Sequence, residues 1–313
     1  MKVAFMGNPQ FSIDPLKEIL KSRHDICAII SNPPKRMGRK KTRQHTDVGQ
    51  FAIDNKIRLI ELDSFNDEDT YEEIVSLKVD IFIVVAFRIL PQRYIDIPKF
   101  GAVNIHASIL PSYRGAAPIQ WALMNGDKNT GISIFQIEKK VDTGKIIYQD
   151  KIDIFNEDNF ETLSNRLSIL GRKSLLKALS DIELGSAKLF KQDNTKSTKA
   201  PKITKKMLQI DWSWSSNKIN NWIRGLSPWP GMYTLYNKKK LKIFKVKLVR
   251  TANVEKAGII HSVSRSAVEV NSGDGLVSIL ELQQEGKKRL TIEEFLKGSD
   301  IKVGDYFSND INT

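Results

Sequence analysis

Cysteine is almost missing from this chain. Cys27 is the one thiol in 313 residues, so neither a disulfide framework nor a cysteine metal site is available, and a reducing compartment suits it. Histidine is scarce as well: there are four, with no His-Glu-x-x-His or similar spacing, and no metal is expected. No apolar run approaches the roughly 18 residues of a membrane span. Residues 1–6 lead directly into Gly7-Asn8-Pro9, which is too short for a secretory signal and reads as a first strand. A cytoplasmic protein is the expectation. The same turn lacks Gly-x-Gly-x-x-Gly, which leaves a nicotinamide or flavin cofactor unsupported.

Acidic side chains are in deficit, 36 against 49 Lys and Arg, for a net charge of +13. The deficit is uneven. Residues 1–190 hold 27 basic and 24 acidic side chains, whereas residues 191–313 hold 22 and 12. An excess gathered in the last two-fifths points to a polyanionic partner for that part. What is present in quantity is apolar: hydrophobic residues make up 41%, enough for a sizeable core. The length suits about two domains.

The first part reads as α/β. Apolar strands at 2–6, 26–30 and 58–62 alternate with helical faces at 15–21 and 48–55, the opening of a doubly wound, mostly parallel sheet. Residues 80–86, DIFIVVA, form a strand buried on both faces. A helix opens with Pro118, strands follow at 130–138 and 146–154, and a long amphipathic helix at 160–184 closes the unit. Residues 191–206 are polar and basic and read as an exposed linker. Trp212, Trp214 and Trp222 read as core rather than base-stacking residues, and 227–231 as a rigid turn. Beyond it, short strands at 232–236, 240–250, 258–263, 267–270 and 275–282 suggest a small barrel of OB type. The expected division is 1–190, a linker at 191–206, and 207–313. On the hairpin around 238–247, lysines alternate with apolar residues, giving one basic and one apolar face.

The chemistry concentrates in residues 101–118, GAVNIHASILPSYRGAAP. Asn104 and His106 are two apart on a strand and share a face. An amide N–H beside an imidazole can hold a carbonyl oxygen as it gains negative charge. Such a pair also occurs as a satisfied polar pair at a sheet end. Two features favour catalysis: the breaker-rich loop that follows, and a second acidic turn, Val141-Asp142-Thr143-Gly144. Between Pro33 and Arg43 the chain carries Lys35, Arg36, Arg39, Lys40, Lys41 and Arg43. This mobile basic loop is either a solvated charge run or a phosphate contact.

Residues 101–118 resemble the N-terminal domain of the folate-dependent formyltransferases. Asn104, His106 and the loop Ser108-Ile109-Leu110-Pro111 match that family's signature, and Asp142 matches its catalytic aspartate. Tyr113-Arg114-Gly115-Ala116-Ala117-Pro118, residues 222–230 and Gly286-Lys287-Lys288 resemble the branch that acts on charged initiator tRNA. Phe87-Arg88-Ile89-Leu90-Pro91 departs from the family, being one residue shorter, with Arg88 where glycine is frequent. The resemblance implies a Rossmann-like catalytic domain and an OB-like tRNA-binding domain. It implies transfer of formyl from 10-formyltetrahydrofolate to the α-amino group of methionine on initiator tRNA, by a monomer. Asn104, His106 and Asp142 would be catalytic, and Ser108, Ile109, Leu110 and Pro111 would line the folate site. The basic residues at 35–43 would meet the tRNA. A sugar or small-amine N-formyltransferase, or an RNA-binding protein on a degenerate scaffold, stays open at this level.

Overall fold

The computed structural model describes residues 1–37, 42–249 and 256–308. Two compact units divide it. The first comprises Met1–Pro118, Asn129–Asp153 and Ser164–Pro201, and the second Ile119–Lys128, Ile154–Leu163 and Lys202–Thr313.

The elements run β1 (Lys2–Gly7), α1 (Ile13–Leu20), β2 (Asp25–Ser31), β3 (Lys35–Met37), β4 (Thr42–Gln44), α2 (Asp47–Asp54), β5 (Leu59–Glu61), α3 (Glu68–Ser76), β6 (Ile81–Val85), α4 (Gln92–Ile95), β7 (Ala102–His106), α5 (Pro118–Asn125), β8 (Asn129–Gln136), β9 (Ile146–Asp153) and α6 (Phe160–Glu183). Seven strands make one sheet in the order β5-β2-β1-β6-β7-β8-β9. Five are parallel, and β8 and β9 join antiparallel. Every side chain of β6 is buried, as its unbroken apolar run requires. The chain order reverses between β1 and β6, so ligands are expected beyond the carboxyl ends of the neighbouring strands.

The basic segment near 35–43 forms strands where it is described, in place of the loop expected from the sequence. Lys35–Met37 pairs antiparallel with Thr42–Gln44, placing Arg36 opposite Arg43. Arg39, Lys40 and Lys41 lie outside the described residues. The segment after α6 is also more than an exposed linker. Gln192 and Ala200 are buried, and Arg114 bridges the segment through its backbone (Arg114 N–H to the Thr198 carbonyl, 2.9 Å; Ala200 N–H to the Arg114 carbonyl, 2.7 Å). Its polar composition concealed backbone pairing, which carries no hydropathy signal.

The second unit adds α7 (Ser216–Gly225), β10 (Met232–Tyr236), β11 (Lys239–Val249), β12 (Ile260–Ser264), β13 (Ala267–Asn271), β14 (Leu276–Gln284), β15 (Leu290–Thr291) and α8 (Ile292–Leu296). The sheet runs β10-β11-β14-β13-β12. Its two outer edges are bridged by one segment: Leu235 pairs with Ser308 and Ile259 with Tyr306. That closure buries Phe307, which stacks on Trp212 at 5.7 Å, and brings the Tyr236 hydroxyl 2.7 Å from Asp305. Burial and then that bond push the phenol up to about 12. Trp212, Trp214 and Trp222 all pack in this core, as expected from the sequence. A bulge in β11 skips Phe244, so that Lys242 pairs with Gln283 and Lys245 with Glu281. Those two partners share a face of β14, so simple alternation alone would have put the two lysines on opposite faces. Among the described residues no helix is long and apolar enough to cross a membrane.

Candidate active site

β7 ends at His106 between β6 and β8, with Asn104 opposite Val84 on one side and Phe135 on the other. Asn104 is half-buried. Its side-chain amide makes no hydrogen bond to any described residue, although its backbone position is paired with a strand on each side. His106 is buried, and its Nε2 lies 2.8 Å from the Tyr113 carbonyl oxygen. A carbonyl only accepts, so Nε2 carries the proton and donates. Only Nδ1 is then left for other work.

That nitrogen faces Asp142, with Nδ1 3.8 Å from Oδ2. The separation is too long for a direct hydrogen bond. The Gly115 N–H donates to the same Oδ2 at 2.8 Å, which leaves Oδ1 as the open carboxylate oxygen. Asp142 has φ +53°, a left-handed conformation that non-glycine residues rarely adopt and that is often held at functional sites.

Gln192 holds that turn, and nothing in its local sequence marks it. Its amide nitrogen donates to the Asp142 carbonyl at 3.0 Å and the Gly144 carbonyl at 2.8 Å. Its amide oxygen accepts from Arg114 at 2.6 and 3.1 Å. One buried side chain therefore joins the acidic turn to the loop that follows β7. Gln192→Leu keeps the volume and removes both functions. We expect kcat to fall by roughly tenfold to a hundredfold, the scale of a misplacement near 1 Å. In an Asp142→Ala background the same change should add almost nothing, because the two effects share one path. A full further loss in that background would give Gln192 some other role.

The loop 108–111 divides in two. Ser108 is fully buried, and its hydroxyl donates to the Ser112 carbonyl at 2.6 Å. Leu110 packs with Phe135 and Ile146, and its N–H donates to Ser133 Oγ at 3.0 Å. These two hold the loop from inside. Ile109 and Pro111 are half-buried and keep surface for a ligand. Beyond β6, Ala86 takes φ +47° and Ile89 is exposed. Arg88 donates to the Asp63 carbonyl at 2.8 Å and the Leu62 carbonyl at 2.5 Å. Its guanidinium lies over the rings of Phe65 and Phe87 at 4.5 and 5.2 Å. Burial lowers its pKa. Arg88 thus clamps two neighbouring loops, a physical reason for an arginine at this position.

Lys35, Arg36 and Arg43 sit exposed on the β3–β4 ribbon. Among the described residues no group of three or more His, Cys, Asp or Glu could hold a metal ion.

Comparison with known proteins identifies the family. Residues 1–179 match the model "Formyl transferase" and residues 202–300 "Formyl transferase, C-terminal domain". The chain is 37% identical over 306 residues to "Methionyl-tRNA formyltransferase" of Caldanaerobacter subterraneus subsp. tengcongensis, covering 97% of this chain and 99% of that protein. Among solved structures, WlaRD, a sugar 3N-formyl transferase in the presence of dTDP and 5-N-formyl-THF, is similar with TM-score 0.66 and 23% identity, covering 92% of this chain and 99% of that one. HypX from Aquifex aeolicus in complex with tetrahydrofolic acid gives TM-score 0.67 at 17% identity. The match covers 99% of this chain, which spans about half (51%) of that one.

Proposed function

The chain belongs to the methionyl-tRNA formyltransferases, and from that premise we propose that Asn104, His106 and Asp142 carry formyl from 10-formyltetrahydrofolate to the α-amino group of methionine on initiator tRNA. The amine attacks the formyl carbon, a new C–N bond forms, and the carbonyl oxygen takes up the electron pair. Collapse of the adduct breaks the carbon–nitrogen bond to folate, and that nitrogen leaves with a proton supplied, in net, by the amine. The observation that carries the assignment is the amide of Asn104, which bonds to no described residue and stands on the same strand face as His106. It is a donor waiting for an oxyanion. A second donation comes from His106 Nδ1–H when the ring is doubly protonated. Asp142, through its open oxygen or a water toward Nδ1, steers the proton off the amine. Folate is placed against Ile109, Pro111 and the loop after β6, with Ser108 and Leu110 supporting from within.

The test is direct. Purified protein with 10-formyltetrahydrofolate should formylate charged initiator tRNA and not charged elongator tRNA. Formylation of a free amine without tRNA would favour the small-amine reading instead.

The ribbon supports the tRNA half of the reading. Arg36 faces Arg43 directly across the pair, and like charges so placed repel; a phosphate between them relieves that repulsion. Each phosphate contact releases counterions, so log K falls linearly with log salt. Replacing Lys40 and Lys41 together should make that slope shallower by up to about 2. An unchanged slope and affinity would leave this segment a solvated face.

A further inference from the structure

We propose that Trp229 is a stacking platform for an unpaired nucleobase of the bound tRNA, an inference that rests on the tRNA-directed function above. The chain has five tryptophans. Trp212 is buried in the core of the second unit, and Trp121, Trp214 and Trp222 pack against it. Trp229 is 75% exposed. An indole left in water forgoes the largest apolar gain of any side chain, so its position calls for a partner.

The turn that presents it is fixed. Ser227 Oγ donates to the Phe244 carbonyl at 2.9 Å, and Gly231 N–H donates to the Leu226 carbonyl at 2.8 Å. Gly231 takes φ +80° with the Phe244 ring against it, so no other residue type fits there without strain. Pro228 and Pro230 flank the tryptophan. A turn whose backbone is already held loses little freedom when something stacks on the side chain it presents.

The surroundings select the class of partner. Lys242 Nζ donates to the Pro230 carbonyl at 2.7 Å. Lys240 lies 4.8 Å over Tyr233. The Arg289 guanidinium lies 4.4 Å over the Phe244 ring that supports the turn, and is itself paired with Glu281. An exposed aromatic whose turn binds Lys242 at the next residue, on a segment with 22 basic against 12 acidic residues, matches a base and its phosphates rather than an apolar protein face. Unpaired bases stack on such rings in single-stranded recognition.

Trp229→Ala should weaken binding of charged initiator tRNA by about 5- to 100-fold. Trp229→Phe should lose less, and kcat at saturating tRNA should stay unchanged in both. The salt slope should also stay unchanged, because stacking releases no counterions. In the wild-type protein, acrylamide quenching of the component absent from Trp229→Phe should fall when tRNA binds. Unaltered affinity in Trp229→Ala, or an indole equally quenched with tRNA bound, overturns the proposal. If affinity is unaltered while wild-type protein still formylates charged initiator tRNA, the stacking role alone has failed. If wild-type protein does not formylate that tRNA, the functional reading has failed first.

Discussion

Asn104→Ala is expected to lower kcat by about 10²–10³, the usual cost of one lost oxyanion donor, with tRNA affinity and thermal stability nearly unchanged. The second half of that expectation separates a catalytic donor from a structural one. In the resting structure the Asn104 amide bonds to no described residue, so its removal breaks nothing in the fold. His106→Ala should produce a kcat loss of the same order, but with a different stability signature. It removes the imidazole that lies 2.8 Å from the Tyr113 carbonyl oxygen, and the loss of one such hydrogen bond costs about 0.5–1.5 kcal/mol. Because both donors serve one oxygen, the double variant should fall short of the product of the single losses. Single-turnover formylation at saturating folate and tRNA, beside a thermal melt, measures all of this. Near-normal turnover in either single variant removes the assignment.

Why those residues could be found without coordinates, and others could not, follows from how each is signalled. Asn104 and His106 sit at alternate positions of an apolar strand, and period two is visible in any sequence. Asp142 stands in a breaker-flanked turn between two strands. The strand at 80–86 and the helix opening at Pro118 were legible because burial and proline leave local marks. Gln192 was not legible. It is a single polar residue in a polar stretch, and its importance comes from partners at Arg114, Asp142 and Gly144, distant in the chain. The β3–β4 ribbon was missed for a similar reason, since its charged strands bury nothing and show no apolar alternation. Ser108 was expected to line the folate site as part of the family signature, and its hydroxyl is spent inside the loop. Trp229 shared a composition signal with its neighbours, and only solvent exposure distinguishes it from the tryptophans of the core.

Gly144→Ala should be the most damaging single methyl in the first unit for catalysis. A Cβ built there lies 1.7 Å from the Gln136 carbonyl oxygen, far inside contact distance. The obstacle is backbone, so no rotamer change relieves it. The Gln136 N–H is meanwhile bonded to the Lys145 carbonyl at 2.9 Å, which pins the two strands of the hairpin together at that rung. The hairpin must open by more than about 1 Å, and Asp142, two residues earlier, moves with it. Displacement on that scale costs about 10²-fold in rate. Overpacking adds a stability loss of about 1–3 kcal/mol. Gly298→Ala is the matched control, since a Cβ there meets nothing within 4 Å, and it should leave both readouts unchanged. The informative comparison is again with Asp142 removed: Gly144→Ala should then still lower the melting temperature but no longer lower the residual rate. A residual rate that keeps falling would mean that the methyl disturbs Asn104 or His106 as well, and that the turn bears on the site through more than its carboxylate.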